Sequence, residues 1–240
     1  MSALLRSEWI KFRSVRSTWV MCGVAVALSM FIAGIAGNQF DHGRPADTLT
    51  AGGAIVIVLL VVMGIQFIAQ EYRFGTIRVT FTAVPDRRRL LLAKTIFGVC
   101  VGFVTALVAV AGAFVVASMT LNGDGRSIPF DARLAETIAG FALVAAVSVA
   151  VGIGIGCITR NPALGITAAL LDMFVLESLV TAFVSEDLGS ALPFSAAFAA
   201  VPSSSGSDAL SPWYLALLVY AAWAVGLLVI GAVIVERRDP

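Results

Sequence analysis

Six long apolar runs separated by short polar segments constrain this chain more than any other feature of its sequence. A helix of about 20 apolar residues crosses the ~30 Å hydrocarbon core of a bilayer. Apolar residues make up 59% of the chain and charged residues only 13%, whereas a soluble domain carries about 25% charge. The sequence therefore predicts an all-α membrane protein with six transmembrane helices in a single domain over residues 1–240. We place these spans at Thr18–Gly37, Ala51–Gln70, Thr95–Met119, Ala135–Thr159, Pro162–Val184 and Trp213–Val235.

The distribution of Arg and Lys predicts how the spans are oriented. Thirteen of these residues precede span one, lie between spans two and three or four and five, or follow span six. The opposite loops hold three, namely Arg44, Arg126 and Arg133. Because cytoplasmic loops are enriched in basic residues, both termini are predicted to be cytoplasmic. A cleaved signal peptide explains span one less well, since the run exceeds the roughly 7–15 apolar residues of a signal sequence and no A-x-A site follows.

Residues 1–17 are predicted to form an amphipathic helix in the headgroup layer. Most of their polar side chains fall opposite one apolar side of a helical wheel, although Glu8, Ile10 and Arg16 break the pattern. Trp9 and Trp19 suit an interfacial anchor in contact with membrane lipids. The alternative is a basic tail that only enforces topology. The apolar side consists of Leu4, Leu5, Trp9, Phe12 and Val15.

The segment Glu71–Lys94 is the longest one predicted to be cytoplasmic, and it contains its own boundaries. Gly75 ends the helix that leaves span two, and Thr76–Ala83 forms a short helix or an extended piece. Pro85 stops that piece, and Asp86 caps the helix that becomes span three. A structured, charged elbow of this kind suits contact with a soluble partner. The alternative is a solvated loop whose basic residues only obey the charge rule.

The segments RSEWIKFRSVRSTW before span one and EYRFGTIRVTFTAVPDRRRLLLAK after span two, in a chain of six spans, resemble the bacterial ABC-2 type permeases. The resemblance extends over the whole length. It implies the permease subunit of an ATP-driven transporter, working as an exporter in the bacterial plasma membrane. It also implies a separate ATP-binding cassette subunit, which holds the ATP and Mg²⁺, and a second permease copy or a sister permease.

The same resemblance implies that the segment after span two docks onto the ATP-binding subunit and transmits its movement. The short connection Thr159–Pro162, with Arg160, is then a second and smaller contact. Asn161 is predicted to cap span five, with Pro162 at its first position. The candidate coupling residues in the larger segment are Glu71, Arg73, Phe74, Gly75, Thr76, Arg78, Pro85 and Arg87.

Catalysis by this chain alone is not expected. The sequence has no G-x-x-x-x-G-K-[ST] motif, and its single histidine, His42, cannot complete a catalytic triad or a metal site. We therefore predict no cofactor bound by this chain. The net charge of +1 predicts no nucleic-acid partner.

Two acids, Asp172 and Glu177, stand inside span five. A charge in the hydrocarbon core is costly, so such residues face protein or a hydrated cavity. On a regular α-helix five residues span about 140°, so the two are not expected to share a face. One interpretation is interhelical hydrogen bonding to groups such as Thr105 or Ser148, or to a second copy of the chain. The other is a lining of the translocation path or a subunit contact, and the family resemblance favours Glu177 for that role.

The segment 185–212 is predicted to form short re-entrant or interfacial helices on the outer side. Its apolar piece Ala191–Val201 is too short to cross a membrane and contains Pro193. Two other functions stay open: an ion- or proton-coupled carrier that uses Asp172 or Glu177, and a membrane anchor without transport. The carrier is disfavoured because no inverted repeat and no interrupted span is evident.

Overall fold

The computed structural model describes residues 2–39, 47–83, 86–123, 128, 131–201 and 212–237. All regular structure within these residues is helical, which confirms the predicted all-α class. A π-helix at Asp172–Leu176 separates α8 from α9. The α-helices are α1 (Ser2–Ser14), α2 (Arg16–Gln39), α3 (Asp47–Thr50), α4 (Gly53–Arg73), α5 (Thr76–Ala83), α6 (Arg87–Gly123), α7 (Ala132–Thr159), α8 (Pro162–Leu171), α9 (Glu177–Phe183), α10 (Glu186–Ser190), α11 (Pro193–Ala199) and α12 (Trp213–Arg237).

Six segments of the described chain are helical, long and apolar enough to cross a bilayer, as predicted. The third apolar run was placed from Thr95, and its helix, α6, begins at Arg87, directly after the predicted cap Asp86. The orientation of the termini stays a prediction. The six segments are Arg16–Gly37, Asp47–Arg73, Arg87–Leu121, Ala132–Thr159, Pro162–Phe183 and Trp213–Arg237.

Helix α7 lies at the centre of the bundle and packs most extensively against α4, α12 and α6. Glycines allow these backbones to approach closely. A Cβ added at Gly152 would lie 2.1 Å from the Val61 carbonyl oxygen of α4, and one at Gly64 would lie 2.3 Å from the Val149 oxygen of α7. Small residues at helix contacts are the usual means of close packing in a membrane. The close contact between α4 and α7 therefore depends on the absence of side chains at these positions.

Local capping signals in the sequence set several helix starts. The Asp86 carboxylate accepts a hydrogen bond from the Arg89 amide at 3.2 Å. The Asn161 side chain accepts from the Ala163 amide at 2.9 Å, with Pro162 as the first residue of α8. Both predicted caps are confirmed, because a side-chain acceptor satisfies amides that have no partner within their own helix.

Two ends of the bundle are distinguished by their polar residues. We call the end that carries α1, α5, Arg160 and the last turn of α12 the charged end. The opposite end carries α10 and α11, the pair of short helices expected in 185–212. This pair folds back onto the bundle, where α11 packs on α12 and the Trp223 indole donates to the Ala191 carbonyl at 2.9 Å. Residues 202–211 lie outside the described part, and a re-entrant depth stays a prediction.

The π-helix corrects one expectation about span five. In the turn Asp172–Leu176 the Glu177 amide donates to the Asp172 carbonyl, five residues back. A π-turn accommodates one more residue than an α-turn, so Asp172 and Glu177 lie about one turn apart and more nearly on one side. The predicted angle of about 140° between the two side chains was wrong because it assumed an uninterrupted α-helix.

Candidate functional site

The elbow between α4 and α6 presents apolar side chains at the charged end. Gly75 follows α4 with a φ of 67°, a left-handed conformation that suits glycine and lets α5 leave at a new angle. Ile77 anchors α5 at 2% exposure. Phe74 and Val79, by contrast, are 69% and 71% exposed. Exposed apolar side chains next to anchored ones mark a surface suited to a protein partner.

The structure brings together two segments that the sequence analysis assigned to separate contacts. Arg73, at the end of α4, and the turn Arg160–Ala163 line one cavity of about 340 Å³ at the charged end. The Arg73 guanidinium also lies 5.7 Å from the centre of the Phe74 ring. The basic cavity and the exposed face of α5 therefore adjoin one another. We call Arg73, Phe74, α5 and the Arg160–Ala163 turn the elbow surface.

Glu71 occupies a different position from the rest of the elbow, because its side chain points into the protein. Lys94 donates to Glu71 at 2.9 Å and to Glu8 at 2.7 Å. Lys11 donates to the same two carboxylates, at 2.9 Å and 3.0 Å. We call these four residues the ion cluster. It joins α1 to the end of α4 and the start of α6.

Burial differs sharply within the ion cluster. The Lys94 side chain is 2% exposed, whereas that of Lys11 is 42% exposed. Burial disfavours the charge of Lys11, but the attraction of the Glu71 and Glu8 carboxylates outweighs it and raises the pKa of Lys11 above its ordinary value. The sequence analysis missed the cluster. Two signals in the sequence pointed to it: Glu8 lies on the otherwise apolar side of the helical wheel of residues 1–17, and Lys94 lies within an apolar stretch.

Two other predicted coupling residues contact α12. Arg87 donates to the Val235 carbonyl at 2.6 Å, and Arg160 donates to the Ile234 carbonyl at 2.9 Å while lying 5.0 Å from the Tyr72 ring centre. Arg88 adds an ion pair with the Glu236 carboxylate. Cations at the C-terminal turn of a helix satisfy its last carbonyls and its dipole. These arginines thus hold the end of α12.

Thr76 begins α5 and is exposed. Pro85 and the side chain of Arg78 lie outside the described residues. The coupling role of every residue in the Glu71–Arg87 set, and of Arg160, stays a prediction.

Glu177 makes its contacts with α11. One carboxylate oxygen accepts from the Phe194 amide at 2.7 Å, and the other accepts from the Ser195 amide at 2.6 Å and the Ser195 hydroxyl at 2.7 Å. A carboxylate at a helix N-terminus satisfies free amides and is favoured by the dipole. The interpretation as interhelical hydrogen bonding therefore describes Glu177 correctly, although Ser148 has a different partner, the Tyr220 hydroxyl at 2.9 Å.

Asp172 is half-buried, and within the described part of the chain no hydrogen bond to its side chain is found. It stands at the first position of the π-turn. The possible roles of Asp172 and Glu177 in a translocation path or a subunit contact stay predictions.

A comparison with protein families finds a match over more than half of the chain. The family is described as ABC-2 family transporter protein, and its sequence model matches residues 4–176. The match includes the ion cluster, the elbow surface and Asp172, and it ends one residue before Glu177. No curated protein matches the chain.

Proposed function

Because the chain belongs to the ABC-2 family of transporter proteins, we propose that it is the permease subunit of an ATP-driven exporter. Its family and its six apolar helices make it a multi-pass membrane protein and a transporter membrane component. The finer assignment is that a separate subunit holds ATP and Mg²⁺ and performs the hydrolysis. A second permease copy or a sister permease completes the transporter, and both termini lie in the cytoplasm.

The elbow surface is the observation that carries this proposal. It combines exposed apolar side chains, Phe74 and Val79, with a basic cavity between Arg73 and Arg160. A complementary partner has an apolar groove for α5 and an acidic side chain that enters the cavity. Arginine pairs well with carboxylates because its planar donors bind both oxygens. The ATP-binding subunit is the partner to which we assign this chemistry.

The contacts behind the elbow surface support a mechanical role. The ion cluster joins the end of α4 to α1 and α6, and Arg160 joins the turn before α8 to the end of α12. A displacement of α5 and of the Arg160 turn is therefore passed to several membrane helices together. Conformational changes of this type proceed as rigid-body shifts of packed elements. Closure of the ATP-binding subunits upon ATP would then alternate the exposure of the pathway.

Co-purification tests the docking. The tagged chain, purified from host membranes in mild detergent, is expected to retain a P-loop ATPase at equal stoichiometry. Phe74→Ser combined with Arg73→Glu is expected to release it, while Arg13→Glu, a charge reversal on α1 outside the elbow surface, retains it. Absence of an ATPase from the wild-type preparation, or its full retention by the double variant, would contradict the proposal.

Transport assays separate this function from a proton-coupled carrier. For the proposed exporter, transport in vesicles requires ATP and the ATPase. Transport that proceeds without the ATPase and is abolished by Asp172→Asn would support the carrier instead.

A further inference from the structure

Two cavities at the charged end share an aromatic pair in their walls. Phe12 and Phe97 line both of them, and their ring centres are 5.6 Å apart. The first, the polar cavity, has a volume of about 530 Å³ and includes Glu8, Lys11, Glu71 and Lys94 in its wall. The second, the α2–α6 groove, has a volume of about 610 Å³ and an almost wholly apolar wall. The polar cavity shares Phe74, Thr76 and Thr80 with the elbow surface, whereas neither cavity includes Arg73 or Arg160.

The length of the α2–α6 groove matches one leaflet of a bilayer. Its wall extends from Trp19 to Met30 on α2 and from Phe97 to Val108 on α6. At about 1.5 Å per residue each stretch measures roughly 16 Å. This is about half of the ~30 Å hydrocarbon core. The groove therefore has the depth of a single acyl chain that begins at the level of the ion cluster.

Glu71, in the wall of the polar cavity, carries an acceptor that lacks a donor. The Oε2 atom of Glu71 is buried and accepts no hydrogen bond from any residue that the structure describes. Buried carboxylate oxygens are normally satisfied, so this atom calls for an external donor. Lys11 donates to two carboxylates, while an ammonium has three N–H groups. Its partly exposed third donor is suited to a phosphate at the edge of the cavity.

The charge of the cavity wall distinguishes between headgroups. The carboxylates of Glu8 and Glu71 balance the ammonium groups of Lys11 and Lys94, so the ion cluster is neutral. A neutral wall with one unsatisfied acceptor and one remaining donor favours a headgroup with both charges. An anionic headgroup would bring an unbalanced charge into a largely buried site, which is costly.

We propose that the polar cavity and the α2–α6 groove together bind one zwitterionic phospholipid, phosphatidylethanolamine, from the leaflet at the charged end. Its ammonium donates to Glu71 Oε2, its phosphate lies beside Lys11, and one acyl chain follows the groove past Gly23. The lipid thereby fills the space between α1 and the membrane helices. The leaflet is the cytoplasmic one in the proposed orientation, but the site itself requires no ATP-binding subunit.

Gly23 offers a direct test, because a Cβ added there meets nothing within 4 Å. Gly23→Leu therefore places a side chain in the groove, with a Cβ that contacts no neighbouring atom. Gly226 of α12 is a matched control, since its added Cβ also meets nothing within 4 Å and it lines a different apolar cavity. Lipids extracted from each protein, purified in mild detergent without added lipid, are quantified by mass spectrometry. Native mass spectrometry of the same samples reports the oligomeric state.

We expect about one phosphatidylethanolamine per wild-type chain and per Gly226→Leu chain. Retention by Gly23→Leu is expected to fall about tenfold, equivalent to roughly 1.4 kcal/mol of binding free energy. Equal retention by the two variants would reduce the groove to a site of ordinary annular lipid and overturn the proposal. A shift of Gly23→Leu to a smaller oligomer would also overturn it, because the groove would then be a protein interface.

The headgroup assignment has its own variant. In nanodiscs of equal phosphatidylethanolamine and phosphatidylglycerol, the lipid retained after extraction is expected to be phosphatidylethanolamine for the wild type. Glu71→Gln removes the acceptor charge and leaves a net positive wall, so the preference is expected to move to phosphatidylglycerol. Glu136→Gln, an exposed acid on α7, keeps the wild-type preference. An unchanged preference in folded Glu71→Gln would overturn the headgroup assignment. If Glu71→Gln does not fold, the lipid site is tested by the retention of phosphatidylethanolamine in Gly23→Leu. Neither failure affects ATPase docking, which co-purification tests separately.

Discussion

Replacing Lys94 by methionine is expected to be among the most destabilising single changes at the charged end. The side chain is 2% exposed and lies 2.7 Å from a Glu8 oxygen and 2.9 Å from a Glu71 oxygen. Methionine has a similar length and no charge, so Lys94→Met removes the cation and leaves little empty space. Two carboxylates, one of them almost fully buried, would then share Lys11 as their single counter-ion in the cluster.

The expected cost follows from burial. Removing one partner from a buried ion pair costs about 3–5 kcal/mol, because an uncompensated charge remains in a poorly solvated site. Lys11→Met is a matched control. Lys11 contacts the same two carboxylates at 2.9 Å and 3.0 Å, but its side chain is 42% exposed. Exposed ion pairs contribute about 0–1 kcal/mol. The two variants thus differ in burial while sharing partners and chemistry.

The free energy of unfolding, measured by SDS titration of the purified protein in detergent, checks this prediction. The double variant Glu8→Met/Lys94→Met is expected to recover most of the loss, since it removes a buried pair as a whole and leaves Glu71 with Lys11. Equal losses for Lys94→Met and Lys11→Met would refute the reasoning. A loss below about 1 kcal/mol for Lys94→Met would refute it as well, because the site would then be as well solvated as the surface.

The same titration tests three further contacts. Glu177→Gln is expected to lower the free energy of unfolding by about 1.5–3 kcal/mol, the usual contribution of hydrogen bonds to a charged group. Asp172→Asn is expected to leave it nearly unchanged, and similar losses for both variants would argue against the cap on α11. Gly152→Ala is expected to lower the free energy of unfolding by about 1–3 kcal/mol through overpacking of α4 against α7, while Gly226→Ala has no such effect. A tolerated Gly152→Ala would show that the two helices separate easily. Tyr220→Phe is expected to cost about 1 kcal/mol, the contribution of a neutral hydrogen bond, and no loss would mean that the bond to Ser148 adds nothing.

The parts of the fold that were predicted correctly rest on local signals. A span is recognisable because every turn of it must be apolar in lipid. A cap such as Asp86 or Asn161 acts on amides two or three residues further along the chain. The error at span five also has a local origin, because nothing in the sequence around Asp172 indicates that the helix takes up an additional residue there.

The candidate site was located by the sequence but not resolved into its parts. Glu71 and Arg73 are two residues apart, yet one points into the ion cluster and the other lines the cavity with Arg160. On a helix, neighbouring residues point in different directions. Which direction meets the protein depends on where α1 and α6 lie, and the sequence of the elbow contains no information on that.

The sequence by itself determined how many times the chain can cross a membrane, where the helices capped by Asp86 and Asn161 begin, and that its basic residues gather at one end. Hydrophobicity, capping and charge act within a few residues, so these properties can be read along the chain. Only the tertiary structure decided that Lys94 joins Glu8, 86 residues away, that Glu177 caps α11, and that Arg87 and Arg160 hold the end of α12. A buried charge must find its partner in space, and the packing of the helices chooses which distant residue supplies it.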